Sequence, residues 1–209
     1  MHVVTFATEP AVRGACEPHR ANRAQIGIWS LVAYLLLVLA AWSAPSPEIG
    51  DAPPQPEHGI KAAFLYKFLG YVEWPAGVLA SPTAPIVIGV LGADDIADEL
   101  QTIVARRRIA QHPIEVRRVG EADALDRLNV LFIGRDATSA LRRLAPAAHE
   151  RSVLLVSDVD GGLEEGSVIN LVVVDNRVRF EVSLEAAERS QLKLSSRMLA
   201  VAMWVRPAR

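Results

Sequence analysis

Cysteine is almost absent from this chain of 209 residues, and the one that occurs, Cys16, lies close to the N-terminus. The residues after it carry no thiol, so a disulfide and a cysteine metal site are excluded from the rest of the chain. A domain of about 150 residues buries enough apolar surface to fold without such cross-links. The stability of the C-terminal part therefore has to come from its hydrophobic core.

Motifs of common nucleotide-binding and hydrolytic sites are missing as well: the chain has no GxGxxG, no Walker loop and no GxSxG. His58, His112 and His149 have no second histidine three or four residues away, so no zinc site on one helix is predicted. The stretch SDVDGG at residues 157–162 is interpreted as a turn rather than a calcium loop, because strands are predicted on its flanks. A hydrolase, which would need a serine or an acid near His112 or His149, stays an open alternative. The favoured hypothesis is a non-enzymatic protein without cofactor, metal or catalytic residues.

An excess of either charge is also lacking, because 22 lysines and arginines accompany 24 aspartates and glutamates, for a formal net charge of -2. Binding of nucleic acid through the overall charge is therefore not expected. The one basic run, at residues 106–108, is better explained as a solvated helix end than as a binding patch.

Charge is absent from residues 26–41, an apolar run that follows Arg20 and Arg23 and leads into the small residues around Ser43. This pattern is typical of a secretory signal peptide, so residues 1–44 are predicted to be a leader that exports the protein to the periplasm. The run is shorter than the ~20 apolar residues of a spanning helix, but an uncleaved signal that anchors the protein in the inner membrane remains the alternative. Residues 45–57 are rich in proline and predict an extended linker.

The segment after the linker begins with a predicted helix. Residues 58–74 carry apolar side chains at helical spacing, and Pro75 ends the pattern. Lys61, Lys67 and Glu73 are placed on a narrow polar side of this helix.

Residues 58–207 as a whole are predicted to form one compact α/β domain. Four strands are predicted. Apolar runs predict strands at residues 86–91, 130–133 and 153–156, and alternation of apolar and charged residues predicts one at 114–119. Helices are predicted after the first strand and after the third, which gives the βαβ rhythm of a mostly parallel sheet with helices on both faces.

The rhythm changes near the C-terminus. Residues 168–174 and 177–182 read as strands separated only by Asp175 and Asn176, which tolerate the left-handed conformation of a tight turn. An antiparallel hairpin is therefore predicted, and the sheet is mixed. Two helices capped by serines follow. The last of them is expected to turn these residues inward: Leu199, Ala202 and Met203.

Four blocks of sequence follow one another between residues 60 and 202. They are IKAAFLYKFLGYVEWP, VIGVLGAD, VLFIGRD followed by VLLVSDVDG, and INLVVVDNRVRFEVSLEAAERSQLKLSSRMLAVA. In order and spacing they resemble the YfiR-like family of exported bacterial proteins. The resemblance covers nearly the whole chain after the linker.

The resemblance implies a non-enzymatic periplasmic α/β domain, often a homodimer. It implies binding to the periplasmic domain of an inner-membrane diguanylate cyclase, which is held inactive so that cyclic di-GMP signalling and biofilm formation fall. A lipoprotein or a small molecule would release the repression. Family members often carry cysteine pairs, whereas here Asn129 and Ser152 precede the third and fourth strands, so a disulfide switch is excluded.

The resemblance also places partner contact around the last hairpin and the C-terminal helices. The candidate partner-binding residues are Ile169, Asn170, Arg179 and Glu181. From the pattern alone, Arg179 and Glu181 have a second interpretation, as a surface charge pair on one strand face.

The alternative function is a periplasmic ligand-sensing module for another membrane receptor. It predicts a pocket at the carboxyl ends of the parallel strands, near residues 92–94 and 134–136.

Overall fold

The computed structural model describes residues 56–79, 81, 83–123 and 125–208. The helices are α1 (Glu57–Phe68), α2 (Asp94–Val104), α3 (Thr138–Glu150), α4 (Leu184–Arg189) and α5 (Ser196–Leu199). The strands are β1 (Val72–Glu73), β2 (Ile86–Leu91), β3 (Arg108–Ile109), β4 (His112–Arg118), β5 (Val130–Ile133), β6 (Leu154–Ser157), β7 (Ile169–Val174), β8 (Arg177–Ser183), β9 (Lys193–Leu194) and β10 (Trp204–Arg206). The predicted leader, and most of the predicted linker, lie outside the described residues.

The main sheet has eight strands in the order β10-β8-β7-β6-β5-β2-β4-β3. Strands β4, β2, β5, β6 and β7 run parallel, and β8 returns antiparallel to β7. Asp175 and Asn176 form the turn with φ of 50° and 57°, the left-handed conformation expected of a two-residue hairpin loop. The predicted α/β fold, with a mixed, mostly parallel sheet and a C-terminal hairpin, is confirmed.

The sheet has an apolar core on each face. Helices α1 and α2 cover one face, where they pack on sheet side chains such as Ile88, Phe132 and Val156. Helix α3 covers the other face over Leu131 and Leu155. Because both faces are covered, every residue of β2 is buried, as its uninterrupted apolar sequence predicts.

The first helix is shorter than the sequence pattern predicts. It ends at Phe68, and the backbone turns through Gly70 and Tyr71, whose N–H groups donate to the carbonyls of Lys67 and Phe68. Strand β1 then pairs with β9 in a separate two-stranded sheet. The prediction of a helix up to Trp74 was wrong because this strand pairing supplies backbone hydrogen bonds that helical periodicity cannot reveal.

The C-terminus also differs from the prediction. Ser195 caps α5 through a hydrogen bond from the N–H of Arg197, but the helix stops at Leu199. The chain then extends into β10, which runs parallel to β8 at the edge of the sheet. Met203 is 46% exposed instead of facing the core, because α5 has already ended at Leu199 and helical spacing no longer sets the direction of its side chain.

Candidate functional site

Strands β2 and β5 are neighbours, but the chain leaves them in opposite directions. After β2 it passes through α2 to β4 on one side, and after β5 it passes through α3 to β6 on the other. Such a switch point leaves a crevice outside the carboxyl ends of the strands, where ligands of open α/β sheets bind. A cleft of about 650 Å³ opens there, lined by the start of α1, by the turns after β2 and β5, and by Asp158. This switch-point cleft lies where the ligand-sensing alternative predicts a pocket.

Two glycines shape the floor of the switch-point cleft. Gly92 has a φ of +67°, and a Cβ there would lie 2.7 Å from the Cβ of Ala137. A Cβ on Gly134 would overlap the carbonyl oxygen of Gly92. The turns after β2 and β5 can therefore approach each other only because neither residue has a side chain.

Lys61 points from α1 into this region and is only 3% exposed. Its Nζ lies 2.5 Å from Oδ2 of Asp158 and 2.5 Å from Oε1 of Glu57. A buried ammonium group is tolerated only where carboxylates compensate for its lost hydration. The hydrogen bond from Lys61 holds the pKa of Glu57 below its ordinary value.

Arg135 adds a second cation to the same cluster. Its Nε donates to the backbone oxygen of Asp158 at 3.1 Å, and its Nη2 lies 3.4 Å from Oε1 of Glu57. Glu57, Lys61, Arg135 and Asp158, hereafter the ion cluster, thus connect the start of α1 to the ends of β5 and β6. Oδ1 of Asp158 has no hydrogen-bond partner among the described residues, even though the residue is buried, with only 6% of its surface exposed. A buried acceptor without a donor costs about 1–3 kcal/mol.

Acidic residues outnumber basic ones around the cleft. The lining contains five carboxylates and two permanent cations, which gives a formal charge of -3 with His58 neutral. Asp94 lies 3.2 Å from Nε of Arg118, a residue outside the cleft, and Asp95 lies 3.8 Å from Nδ1 of His58. Asp136 forms no ion pair with any residue that the structure describes.

A second exposed surface lies on the C-terminal hairpin and the edge strand. Strand β6 pairs with β7 only at Ile169 and Asn170, so the rest of the hairpin projects beyond β6. The projecting part and β10 expose large apolar side chains to solvent, at 39–46% exposure. Two exposed arginines lie on the same face of the hairpin as Val174, whereas Val173 points to the other face. The residues that share this face are here termed the hairpin surface: Val174, Arg177, Arg179, Met203 and Trp204.

The four predicted partner-binding residues do not share one environment. Ile169 is fully buried and Asn170 is 1% exposed, so neither side chain is accessible to a partner. Ser157 donates to Oδ1 of Asn170 at 2.8 Å, within a buried polar network. This placement corrects the prediction for Ile169 and Asn170, because strand pairing in the middle of the sheet encloses both residues.

Arg179 and Glu181 lie closer to solvent. Arg179 is exposed and Glu181 is half-buried. In the described part of the chain neither belongs to an ion pair, so they do not pair with each other as surface charges. Glu181 sits opposite Trp204 in the β8–β10 pairing, which places it beside the hairpin surface.

Helix α1 connects the switch-point cleft with the hairpin. Its first turns carry Glu57 and Lys61, and its last turns carry Phe64 and Phe68. The rings of Phe64 and Phe68 pack on Phe180 of β8, with ring centroids 5.7 and 5.2 Å apart. One helix therefore contacts both regions.

The ion cluster was missed by the sequence analysis, which placed Lys61 on the polar side of α1 and interpreted residues 157–162 as a simple turn. A usable signal was present: Lys61 lies four residues before Leu65 and seven before Phe68, on the face that is buried. A lysine on the buried face of a helix requires a buried acid. Nothing in the local sequence indicates that Asp158 supplies it.

Both histidines of the hydrolase alternative bind backbone carbonyls. Nδ1 of His112 donates to the carbonyl of Ala84 at 2.7 Å, and Nε2 of His149 donates to that of Gly166 at 2.9 Å. Burial lowers the pKa of His149. The structure brings no serine hydroxyl into hydrogen-bond contact with either ring among the described residues.

Within residues 56–208, apart from the gaps stated above, no group of three or more His, Cys, Asp or Glu side chains is arranged to hold a metal ion. None of the described helices combines the length and the apolar character that a membrane span requires. The apolar run at residues 26–41 lies outside this part of the chain.

Comparison with known proteins decides the family. A family model described as YfiR/HmsC-like matches residues 58–203. The chain belongs to the YfiR/HmsC-like family. This family is periplasmic, and it is regulatory rather than catalytic. Membership therefore supports the general role of a periplasmic regulator. No curated protein matches the chain.

Among the similar solved structures, one supports the fold alone. A conserved domain protein from Vibrio cholerae is 13% identical, with a TM-score of 0.51, and the match covers 72% of this chain and 60% of that one. Two matches have a TM-score of 0.43 and 11% identity. They are an ABC domain in complex with L-Trp from Streptococcus pneumoniae, covering 57% of this chain and 55% of that one, and a substrate-binding protein with adhesive properties from Clostridium difficile, covering 59% and 55%.

Proposed function

We propose that this protein binds the periplasmic domain of an inner-membrane diguanylate cyclase and holds the cyclase inactive, which lowers cyclic di-GMP signalling and biofilm formation. Membership of the YfiR/HmsC-like family supports the regulatory part of this proposal. The observation that carries the binding part is the hairpin surface, where apolar side chains face solvent beside arginines that form no ion pair with any described residue. Export by the N-terminal signal, a homodimer and a releasing lipoprotein or small molecule belong to the same proposal.

The composition of the hairpin surface suits protein binding. Trp204, Met203 and Arg179 are of the residue types enriched in protein interfaces, where aromatic and arginine side chains provide most of the binding energy. The guanidinium of Arg206 lies 5.4 Å from the centre of the Trp204 ring, which holds the indole in place. An anchor that is ordered before binding loses less conformational entropy when a partner covers it.

The proposed mechanism is stoichiometric. The domain binds the inactive conformation of the cyclase more tightly than the active one and shifts the equilibrium between them. A shift from almost fully active to almost fully inactive requires a difference in binding free energy of about 5.5 kcal/mol. An interface with a few desolvated anchors can supply this difference.

The test is a pull-down from solubilised membranes with the full chain, followed by mass spectrometry and by measurement of cellular cyclic di-GMP. We expect recovery of a membrane diguanylate cyclase. Arg179→Glu and Glu181→Lys should reduce recovery and raise cyclic di-GMP. Arg106→Glu, an equal charge reversal at an exposed position beyond α2, is the matched control. Unchanged recovery with both hairpin variants would exclude the hairpin surface as the binding site. Failure to recover any cyclase would contradict the proposal that the partner is a diguanylate cyclase.

The second candidate function is ligand sensing for a membrane receptor. The observation that favours it is the switch-point cleft, whose position matches the ligand sites of other open α/β sheets. The two functions are compatible, because a ligand in the cleft would contact α1, which packs on the hairpin. A small molecule that raises the melting temperature of the chain would support this candidate.

A further inference from the structure

The switch-point cleft has the size and position of a small-molecule site. Its volume of about 650 Å³ lies within the usual range of ligand pockets. It opens at the carboxyl ends of β2 and β5 and is bounded by the rigid start of α1. Its floor depends on two glycines that allow the strand ends to approach closely.

The cations of the cleft are already engaged. Lys61 donates to Glu57 and to Asp158, and Arg135 donates to the backbone of Asp158 and lies near Glu57. An anionic ligand would have to compete with these internal carboxylates for each positive charge. The five acids around the two cations would also repel it.

The acceptors of the cleft, in contrast, are not all engaged. Oδ1 of Asp158 has no donor among the described residues although the side chain is 93% buried. Asp136 at the rim forms no ion pair within the same part of the chain. Oδ1 of the exposed Asp95 accepts the backbone N–H of Ile96, and its Oδ2 has only Nδ1 of His58 nearby, at 3.8 Å. An ammonium group carries three donors and a positive charge, and hydrogen bonds from it to carboxylates are among the stronger ones in proteins.

From these observations we infer that the switch-point cleft binds a small organic amine, whose ammonium groups are accepted by Asp136 and Asp95 at the rim and by the Asp158 carboxylate at the base. The inference deepens the ligand-sensing candidate and does not depend on the cyclase. A ligand bound there contacts the first turns of α1 and thereby the helix that packs on Phe180 of the hairpin.

The test compares three probes of the same carbon length by isothermal titration calorimetry on the full chain. They are 1,4-diaminobutane, 1,4-butanediol and succinate, which differ in charge but hardly in size. We expect the diamine to bind at least about tenfold more tightly than the diol and succinate not to bind. Binding of the diamine should weaken as salt is raised, because salt screens the attraction at the exposed rim.

Variants locate the site. Asp136→Asn keeps the size of an exposed side chain and should weaken diamine binding about tenfold. Asp175→Asn makes the same change in the hairpin turn, where asparagine also tolerates a positive φ, and should alter binding less than about twofold. Preferential binding of succinate, equal binding of diamine and diol, no binding at about 1 mM diamine, or equal effects of the two variants would each overturn the inference.

Because the probes are titrated into the isolated chain, these outcomes are independent of the pull-down. Diamine binding without recovery of a cyclase would leave the inference standing and remove the proposed partner. Recovery of the cyclase without diamine binding would support the proposed partner and overturn the inference about the cleft.

Discussion

The switch-point cleft and the hairpin surface belong to one sheet but are built in opposite ways. In the cleft, charged side chains turn inward and are held by one another, so that Lys61 and Asp158 are almost completely buried. On the hairpin, apolar side chains such as Trp204 turn outward, and Arg179 is left without an ion pair among the described residues. The difference indicates a concave polar site suited to a small ligand and a projecting apolar surface suited to a protein.

The two regions share helix α1 as their mechanical connection. The ion cluster holds the N-terminal turns of the helix, and the aromatic contacts with Phe180 hold its C-terminal turns. A rigid helix of 12 residues transmits a displacement at one end to the other. The comparison therefore predicts different consequences for mutations at the two ends.

The largest effect is expected in the ion cluster. Lys61→Ala leaves the Asp158 carboxylate buried without its ammonium partner, and removal of one member of a buried ion pair costs about 3–5 kcal/mol. The free energy of unfolding, measured by urea denaturation, should fall by this amount. Lys67→Ala removes an exposed lysine from the same helix and should change it by less than about 0.5 kcal/mol.

A double variant tests whether the loss of stability in Lys61→Ala comes from the buried charge that is left without its partner. In Lys61→Met with Asp158→Leu, both charges are replaced by apolar groups, so much of the lost stability should return. Two equally small losses in Lys61→Ala and Lys67→Ala would show that Lys61 is not buried as described, and would remove the contrast between the cleft and the hairpin.

The next largest effect is expected on the hairpin, in binding rather than in stability. Trp204→Ala removes an exposed aromatic anchor and should weaken partner binding by about 2–4 kcal/mol. Surface plasmon resonance with the immobilised periplasmic domain of the cyclase measures this loss of affinity, mainly as faster dissociation. Tyr71→Ala truncates an aromatic residue of similar exposure outside the hairpin and should leave the affinity unchanged. Equal losses in the two variants would argue against a localised hairpin interface.

A moderate effect is expected at the floor of the cleft. Gly134→Ala places a Cβ against the carbonyl oxygen of Gly92, so the turns after β2 and β5 have to separate. Overpacking of this kind costs about 1–3 kcal/mol of unfolding free energy, and it should also weaken any ligand that the cleft binds. Gly120→Ala is the control, because the nearest atom to its added Cβ is 3.6 Å away. Wild-type stability in Gly134→Ala would mean that the two turns are not in close contact.

The sequence reveals those features of the molecule that depend on local pattern. The buried run of β2 and the Asp175–Asn176 turn predict the parallel core and the hairpin, since alternation and turn chemistry are local properties. The cleft is predictable in position because it follows from the order of strands. Its ion cluster is not, because Lys61 and Asp158 are 97 residues apart and meet only in the folded sheet.

The partner surface was only partly predictable for the same reason. Arg179 lies on the outer side of β8, as alternation within one strand indicates. The burial of Ile169 and Asn170 depends instead on the strands and loops that flank β7, which a single strand does not show. The last helix was predicted to extend to Met203 and the edge strand β10 was not predicted, because its pairing with β8 is a tertiary interaction.

The smallest effect is expected at His149, which holds the loop that leads from Asp158 in the cleft to the hairpin. Its Nε2 donates to the carbonyl of Gly166, and burial lowers the pKa of the imidazole in the folded state. The unfolded chain takes up the proton near the ordinary value of about 6.5, before the folded state does, so this contribution to stability is present above that pH and is lost as the pH falls through it. In His149→Gln the amide can still donate to Gly166 but does not titrate. The unfolding free energy of the wild type should therefore fall more steeply than that of the variant between about pH 7.5 and 5.5. Parallel curves would show that the imidazole is not kept neutral by the fold, and a large loss in the variant at every pH would instead mark the loop contact itself as essential to both regions.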